Sequence, residues 1–332
     1  MVEAKVIVVG GGPAGSTCAR ELRQSGIDTI LLDKSDFPRD KLCAGWITPQ
    51  VVKKLELAEY PHTITCFDRL HFHFFGFPVS VRTRQYAVRR IELDHWLLER
   101  AGVPVIRHTV RTIERSRGGY VIDNSFRCRY LVGAGGTYCP VSRTFFRDSS
   151  ARARESMIAT LEEEFAWDCQ DRGCKLWFFD HSLPGYAWYV PKDNGYLNIG
   201  IGGKLAVLKS RKTSILQNWS FFTGKLESLA LVRNHTFRPR GHIYYLRRKQ
   251  RRVQLDNVFL IGDAAGLATR DMGEGISAAV ESGLRAAEAI ARGRPYNLAS
   301  IPSYSFPAIL APRVFSSSGN RKSVSTRLEN SS

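Results

Sequence analysis

No stretch of the chain reaches the roughly 18 consecutive apolar residues that a membrane-crossing helix requires, so a helical membrane span is not expected. No C-x-x-C pair is present, and the seven cysteines are scattered and odd in number. A disulfide framework and a cysteine-based metal site are thereby excluded, and reduced thiols in a cytoplasmic protein are expected. Cys169 and Cys174 are weighed as a fortuitous redox couple. Proline is sparse, at 14 residues against 28 glycines, and no Gly-x-y period accompanies them, which excludes a collagen-like chain. Acidic residues are in deficit, 31 against 48 Lys and Arg, leaving a net charge of +17. That field favours anionic partners such as phosphates or an acidic membrane surface. Nucleic acid would rest on charge alone and is not the favoured partner. The densest basic run, Arg247-Arg248-Lys249-Gln250-Arg251-Arg252, reads as a solvated hairpin face.

What is present is enough apolar material, 43% of 332 residues, for one large or two ordinary domains. The start, Met1 to Lys5, runs directly into strand-like sequence, so no signal peptide is expected. Lys5 to Val9 is a β-branched run suited to a strand buried on both faces. Gly10-Gly11-Gly12-Pro13-Ala14-Gly15 then opens a helical pattern that continues through Leu22 and stops at Gly26. A second strand, Thr29 to Leu32, ends at Asp33, completing a βαβ unit. Alternating segments near 67–87 and again from about Met157 to Leu246 predict antiparallel strands. Leu93 to Ala101 predicts a helix closed by Gly102, and Ile276 to Ile290 a long amphipathic helix closed by Gly293. The expected organisation is a discontinuous nucleotide-binding domain at 1–66, 88–150 and 253–311. A substrate-binding sheet domain occupies 67–87 and 151–252, and 312–332 is a disordered tail.

Gly10-x-Gly12-x-x-Gly15 follows a buried strand and opens a helix. Small residues there let backbone amides and the helix N-terminus meet a pyrophosphate. Asp33 stands 18 residues after Gly15, at a strand end where a carboxylate can accept ribose hydroxyls. This motif alone leaves FAD and NAD open. Gly262-Asp263-Ala264-Ala265-Gly266, followed by Gly273-Glu274-Gly275-Ile276 before the long helix, resembles the GD segment of FAD-dependent oxidoreductases, and that resemblance implies FAD. A helix N-terminus there would stabilise negative charge on a reduced flavin. The other reading of Asp263 is a simple helix cap.

These motifs resemble FAD-dependent oxidoreductases of the p-hydroxybenzoate hydroxylase-like superfamily. Phe37-Pro38-Arg39-Asp40-Lys41-Leu42-Cys43-Ala44-Gly45 resembles the PR-x-K-x-C-x-G segment of its geranylgeranyl reductase family. Gly185-Tyr186-Ala187-Trp188-Tyr189-Val190-Pro191-Lys192 resembles that family's Y-x-W-x-F-P segment, with Leu197 to Gly202 following as in the family. The implied fold class is α/β, a Rossmann-like FAD-binding domain with an inserted antiparallel β-sheet substrate domain. The implied cofactor-binding residues are Gly10, Gly12, Pro13, Ala14, Gly15, Asp33, Lys34, Arg39, Cys43, Ala44, Gly45, Arg90, Gly262, Asp263, Gly273, Glu274, Gly275 and Ile276. No metal is implied. Arg90 to Asp94 resembles the R-x-x-x-D segment that sets an Arg beside the flavin; the alternative is a surface residue on a helix-start turn. Gly135 stands where an Asp is common in relatives, and Arg270 where many carry Pro, near the expected flavin edge.

Cys43 is the implied catalytic residue, a proton donor or redox partner, since an ordinary thiol is protonated near neutral pH. Its alternative is burial as a small hydrophobe. Tyr186, Trp188 and Pro191 are the implied substrate residues; Tyr186 and Trp188 project from one strand face, as a tunnel wall or as ordinary packing. Phe72, Phe74, Phe75, Trp177, Phe178, Phe179 and Trp188 are expected to line an apolar channel. The expected activity is reduction of carbon–carbon double bonds in an isoprenoid or lipid-like substrate, with an anionic headgroup and peripheral membrane contact. NAD(P)H or a ferredoxin-like donor would supply electrons. Rival readings are an NAD(P)H-dependent flavin monooxygenase and a flavin-binding membrane-surface protein without turnover. Halogenation is not expected, because Tyr186 replaces the first Trp of the halogenase segment and the downstream lysine is not identifiable.

Overall fold

A computed structural model describes residues 1–147, 154–248 and 252–310. The chain opens with β1 (Val2–Val9), whose Val6, Ile7 and Val8 are fully buried, as a central strand covered on both faces must be. It passes through the glycine loop into α1 (Pro13–Gln24), with Pro13 in the first turn, where a missing N–H costs nothing. There follow β2 (Thr29–Asp33), β3 (Trp46–Ile47) and α2 (Pro49–Lys54), the last capped by the Thr48 hydroxyl. A long hairpin, β4 (Thr65–Phe74) and β5 (Phe77–Ala87), leads to α3 (Arg90–Ala101), which Gly102 ends in the left-handed conformation. Next come β6 (Val105–Arg107), β7 (Ile113–Ser116), β8 (Gly119–Ile122), β9 (Phe126–Gly133) and α4 (Pro140–Phe145).

The third section contains β10 (Met157–Ala166), β11 (Cys174–Phe178), β12 (Gly185–Lys192) and β13 (Tyr196–Lys204). Then come α5 (Leu205–Ser210), α6 (Ile215–Ser228) and β14 (Arg240–Tyr245). The chain closes with β15 (Gln254–Leu255), β16 (Val258–Leu260), α7 (Ile276–Arg292) and α8 (Phe306–Leu310).

The strands form two sheets. The first runs β15-β16-β9-β1-β2-β6, with β1 parallel to both β2 and β9, and the β7–β8 hairpin joined to β9. Helices α1 and α7 pack together on it so tightly that a side chain at Gly283 would lie 2.5 Å from the Ala14 carbonyl oxygen. The second sheet runs β14-β10-β13-β12-β11-β4-β5-β3.

The second sheet is antiparallel except where β11 lies parallel to β4. The sequence expectation of an all-antiparallel insertion is corrected at that pair. The chain leaves the sheet after β5 and returns at β10, and so long a connection permits parallel pairing. Strand β3, from the 1–66 segment, pairs with β5 at the far edge of this sheet. Helices α5 and α6 occupy sequence read as strand. The signal for α6 was present: Ser214 and Gln217 form a reciprocal capping box at its N-terminus. Arg247 is not the solvated hairpin residue expected, because its guanidinium donates to the carbonyls of Leu298 and Ile301 at 2.7 and 2.6 Å. Residues 249–251 of that run, and the expected 312–332 tail, lie outside the described residues.

Candidate active site

The glycine loop closes on itself for steric reasons. Gly10 has φ +116, and a Cβ there would meet the Ala134 backbone at 2.5 Å; one at Gly15 would lie 1.9 Å from the Gly10 oxygen. Gly12 heads α1 with no side-chain cap, so the first-turn amides are left for an external acceptor. Asp33 accepts from Gly11 N at 2.7 Å through Oδ2 and from Ser35 N at 2.8 Å through Oδ1. Its carboxylate therefore fixes the loop and keeps spare lone pairs. Lys34 is exposed on the following bend, and Arg39 lies over the loop, with Nη2 3.5 Å from where a Gly12 Cβ would be.

Arg90 is not a surface residue. It is buried at the start of α3 and makes a two-toothed pair with Asp94, at 2.8 and 2.9 Å, to which Arg39 adds a contact at 3.3 Å. Burial opposes its charge, yet the Asp94 carboxylate and the Cys43 sulfur beside it hold the guanidinium above its ordinary range. Cys43 is half-buried, and its sulfur accepts from Gly45 N at 3.4 Å. Gly45 has φ +71, and a Cβ there would strike the Val88 oxygen at 1.9 Å, so the turn carrying Cys43 requires glycine.

The late glycine segment meets this group from the other side. Gly262 has φ +57 and packs against Ala14, while a Cβ at Gly275 would lie 3.3 Å from Asp263 Oδ1. The Glu274 carboxylate accepts from Ser277 N at 2.7 Å, so it caps α7, and Ile276 is buried in the first turn. Burial pushes Glu274 up to about 7, against the amide bonds that favour its charge. Gly273, at φ +64, has no room for a side chain, because a Cβ would sit 2.1 Å from the Tyr244 hydroxyl. Arg270 turns away, donating from Nε to the Arg247 carbonyl at 3.1 Å.

The second sheet supplies the opposite wall through two adjacent rows of side chains. One row is Glu162, Gly200, Trp188, Leu176, Phe72 and Val79. Its neighbour is His242, Thr160, Gly202, Tyr186, Phe178, Phe74 and Phe77. Trp188 occupies the space over Gly200, where a Cβ would be 2.1 Å from the indole, and its Nε1 donates to Asn198 at 2.7 Å. The Tyr186 hydroxyl donates to the Met272 carbonyl at 2.5 Å, tying the wall to the late glycine segment. Pro191 lies buried on the same strand but at an odd position, opposite Leu197 and on the outer face, so it does not join Tyr186 and Trp188 as expected; Ala44 packs against this wall. Tyr186 and Trp188 are packed residues, and they pack on the face turned to the late glycine segment.

Three residues expected in the channel are elsewhere. Trp177 alternates to the outer face, under α6, where it contacts Phe222. Phe75 and Phe179 stack on each other at the exposed end of the sheet. The period-two geometry of a strand sends adjacent aromatics to opposite faces, and the turns carry the others outward.

Sequence reasoning missed a cluster beside Cys43. Glu162, 3% exposed, is pushed up to about 8 by burial, which Lys41, Lys192 and Arg90 partly offset. His242 lies 3.1 Å from Lys41 Nζ and is driven down to about 4 by burial and that cation. Lys41 donates to the neutral imidazole, and burial lowers its own affinity for the proton while Asp263 restores part of it. Glu162 gave no signal, since Glu162-Glu163-Glu164 reads as a solvated strand end.

The site thus offers uncapped amides at a glycine loop, a carboxylate at a strand end, and an apolar wall over a polar floor. These residues fit an FAD. The FAD binding domain family matches residues 3–58. An uncharacterised protein of Methanosarcina barkeri is 31% identical over 87% of this chain and 75% of its own length. The chain belongs to the geranylgeranyl reductase family of FAD-dependent oxidoreductases. A menaquinone reductase of Mycolicibacterium smegmatis is 28% identical, covering 87% of this chain and 77% of its own. A digeranylgeranylglycerophospholipid reductase of Methanosphaera stadtmanae is 25% identical, covering 91% and 81%. In fold, this family member is similar to a geranylgeranyl bacteriochlorophyll reductase-like protein of Thermoplasma acidophilum. The TM-score is 0.78 at 21% identity, over 88% of this chain and 79% of that one. Among the described residues no helix is long and apolar enough to cross a membrane.

Proposed function

We propose that this FAD-dependent oxidoreductase reduces carbon–carbon double bonds in an isoprenoid or lipid-like substrate. The observation that carries the reading is the wall's division: an apolar row of Trp188, Leu176, Phe72 and Val79 continues past Gly200 to the buried Glu162, beside Lys41, Lys192 and Arg90. The activities for which two relatives are named, a menaquinone reductase and a digeranylgeranylglycerophospholipid reductase, support it. Bound FAD, once reduced, supplies the hydride.

The chain's own residues bind, orient and complete the proton balance. The amides after Gly12 and the Arg39 guanidinium would hold the pyrophosphate, Asp33 the ribose, and Asp263 with the α7 N-terminus the flavin end. Tyr186 and Trp188, with Phe72, Phe74 and Phe178 of the inner rows, would hold the chain and exclude water. An isolated alkene has little polarity, so fixing its carbons is a large share of the work. Cys43 Sγ–H would give the proton that the second carbon needs, leaving the sulfur's charge facing Arg90. The electron source would be NAD(P)H or a ferredoxin-like protein; the chain contains a single dinucleotide motif.

The test is anaerobic. Dithionite-reduced holoprotein incubated with polyprenyl lipids should yield product heavier by two hydrogens per double bond. Product formed only when O₂ is admitted, and heavier by oxygen, would establish the monooxygenase reading instead. Asp263→Ala should purify with markedly less flavin; an equally yellow variant would remove Asp263 from the cofactor site.

A further inference from the structure

The aromatic face of the second sheet does not stop at the edge of the molecule. Its rings follow one another outward from the site: Trp188 to Tyr186 at 5.7 Å, Tyr186 to Phe178 at 5.0 Å, Phe178 to Phe179 at 6.1 Å, and Phe179 to Phe75 at 5.5 Å. The outer end is the tip of the β4–β5 hairpin. There Phe75 and Phe77 are 72% and 75% exposed on either side of Gly76, with Val79 and Phe179 exposed beside them. Large apolar side chains crowded at one exposed tip mark a contact surface.

The flank of this tip is cationic. The loop after Phe179 is held by Arg211, whose Nη1 donates to the Ser182 carbonyl at 2.8 Å, and by Lys204 N, which donates to the Pro184 carbonyl at 3.0 Å. Lys204, Lys209, Arg211 and Lys212 are all exposed, and no acidic residue occurs from 204 to 214. Arg82 is exposed on the hairpin itself. Asp180, next to Phe179 in sequence, is engaged by Lys225.

We propose that the Phe75-Gly76-Phe77 hairpin tip, with Phe179 and the α5 cations, docks this protein onto an anionic lipid bilayer. Aromatic rings placed at the headgroup level with lysines and arginines alongside are the chemistry such a surface accepts. The inference rests in part on the proposed lipid substrate, because the same row of rings joins the tip to the site. Docking also needs no membrane-crossing helix.

The test uses the full holoprotein and vesicles, with no turnover. The chain should co-sediment with phosphatidylcholine vesicles containing phosphatidylglycerol, and far less with phosphatidylcholine alone. Phe75→Asn with Phe77→Ser should weaken binding at least ~tenfold; asparagine suits the left-handed φ of +51 at position 75. Neutralising Lys209 and Lys212 should cost ~fivefold per cation. Unchanged flavin content and melting temperature would show that the variants fold.

Three results would overturn the proposal. The first is a parent that ignores anionic vesicles, and the second a tip variant that binds as well as the parent. The third is a tip covered by another occupant. That would appear as a concentration-dependent dimer abolished by the tip variant, or as vesicle binding that arises only when residues 311–332 are removed. A substrate dispersed in detergent separates this inference from the enzymatic one. The tip variant should reduce it like the parent; if neither reduces it while vesicle binding stands, only the proposed reaction fails.

Discussion

Two halves of one sheet face hold opposite chemistry. On β14, β10 and β13 the inward positions are His242, Thr160, Glu162 and Asn198; on β12, β11 and β4 they are Tyr186, Trp188, Leu176, Phe178, Phe72 and Phe74. Both halves are pleated strands of one sheet, antiparallel except at β11–β4, and pleating alone does not set which side chains each half presents. What differs is what comes to meet each half. Lys41 and Arg90, from the segments around the first sheet, face the polar half together with Lys192 from β12, and they lower the cost of burying its carboxyl. The aromatic half is met by Met272 and Phe306 and needs no such compensation. Gly200 marks the boundary: having no side chain, it lets the Trp188 indole lie flat toward the ionisable group.

The comparison breaks hardest at Asp94. It is fully buried, and Asp94→Ala would leave the Arg90 guanidinium without its partner, an expected loss of about 3–5 kcal/mol. Chemical denaturation should show it, and a loss below about 1 kcal/mol would mean that water or Cys43 serves Arg90 as well. A smaller effect is expected at the boundary. Gly200→Ala sets a methyl against the indole of Trp188, an overpacking cost of about 1–3 kcal/mol, and should displace the ring. A wild-type melting curve with unaltered tryptophan emission would contradict the close fit.

The most subtle prediction concerns pH. Glu162 keeps its proton to about 8 in the fold, whereas unfolded it would lose it near about 4.3. Between those values the native state binds more protons, so this residue's contribution to stability falls as pH rises. Glu162→Gln removes that slope. The variant should gain in melting temperature relative to the parent on the alkaline side of the window and not on the acid side. Parallel curves across the window would show that Glu162 is ionised throughout. His242 works in the opposite sense. Held neutral down to about 4, it destabilises the fold as pH drops below its ordinary value, so the two groups together narrow the favourable range.

Much of the first sheet was legible in the sequence because its signals are local. Pro13, Gly26, Gly102 and Gly293 each act through their own backbone, and the βαβ unit follows from a β-branched run, a glycine loop and a strand ending in Asp33. The motif that names the family is local in the same way. The helix α6 was also written in the sequence, in Ser214 and Gln217, but alternating apolar residues on either side concealed it. Trp177 and Phe75 were misplaced because composition shows that aromatics are abundant without showing which face each takes.

The sequence by itself determined the glycine-cradled loop, the late glycine segment and the spacing that puts Tyr186 and Trp188 on one face, since each depends on neighbours a few residues apart. Only the tertiary structure decided that Glu162, His242, Lys41 and Arg90 share one cluster, and that the aromatic row emerges at Phe75 and Phe77. Those groups come from strands and loops as far apart as 41 and 242 in the chain. Their charges are tolerable, and their order across the sheet exists, only once strand pairing has brought them side by side.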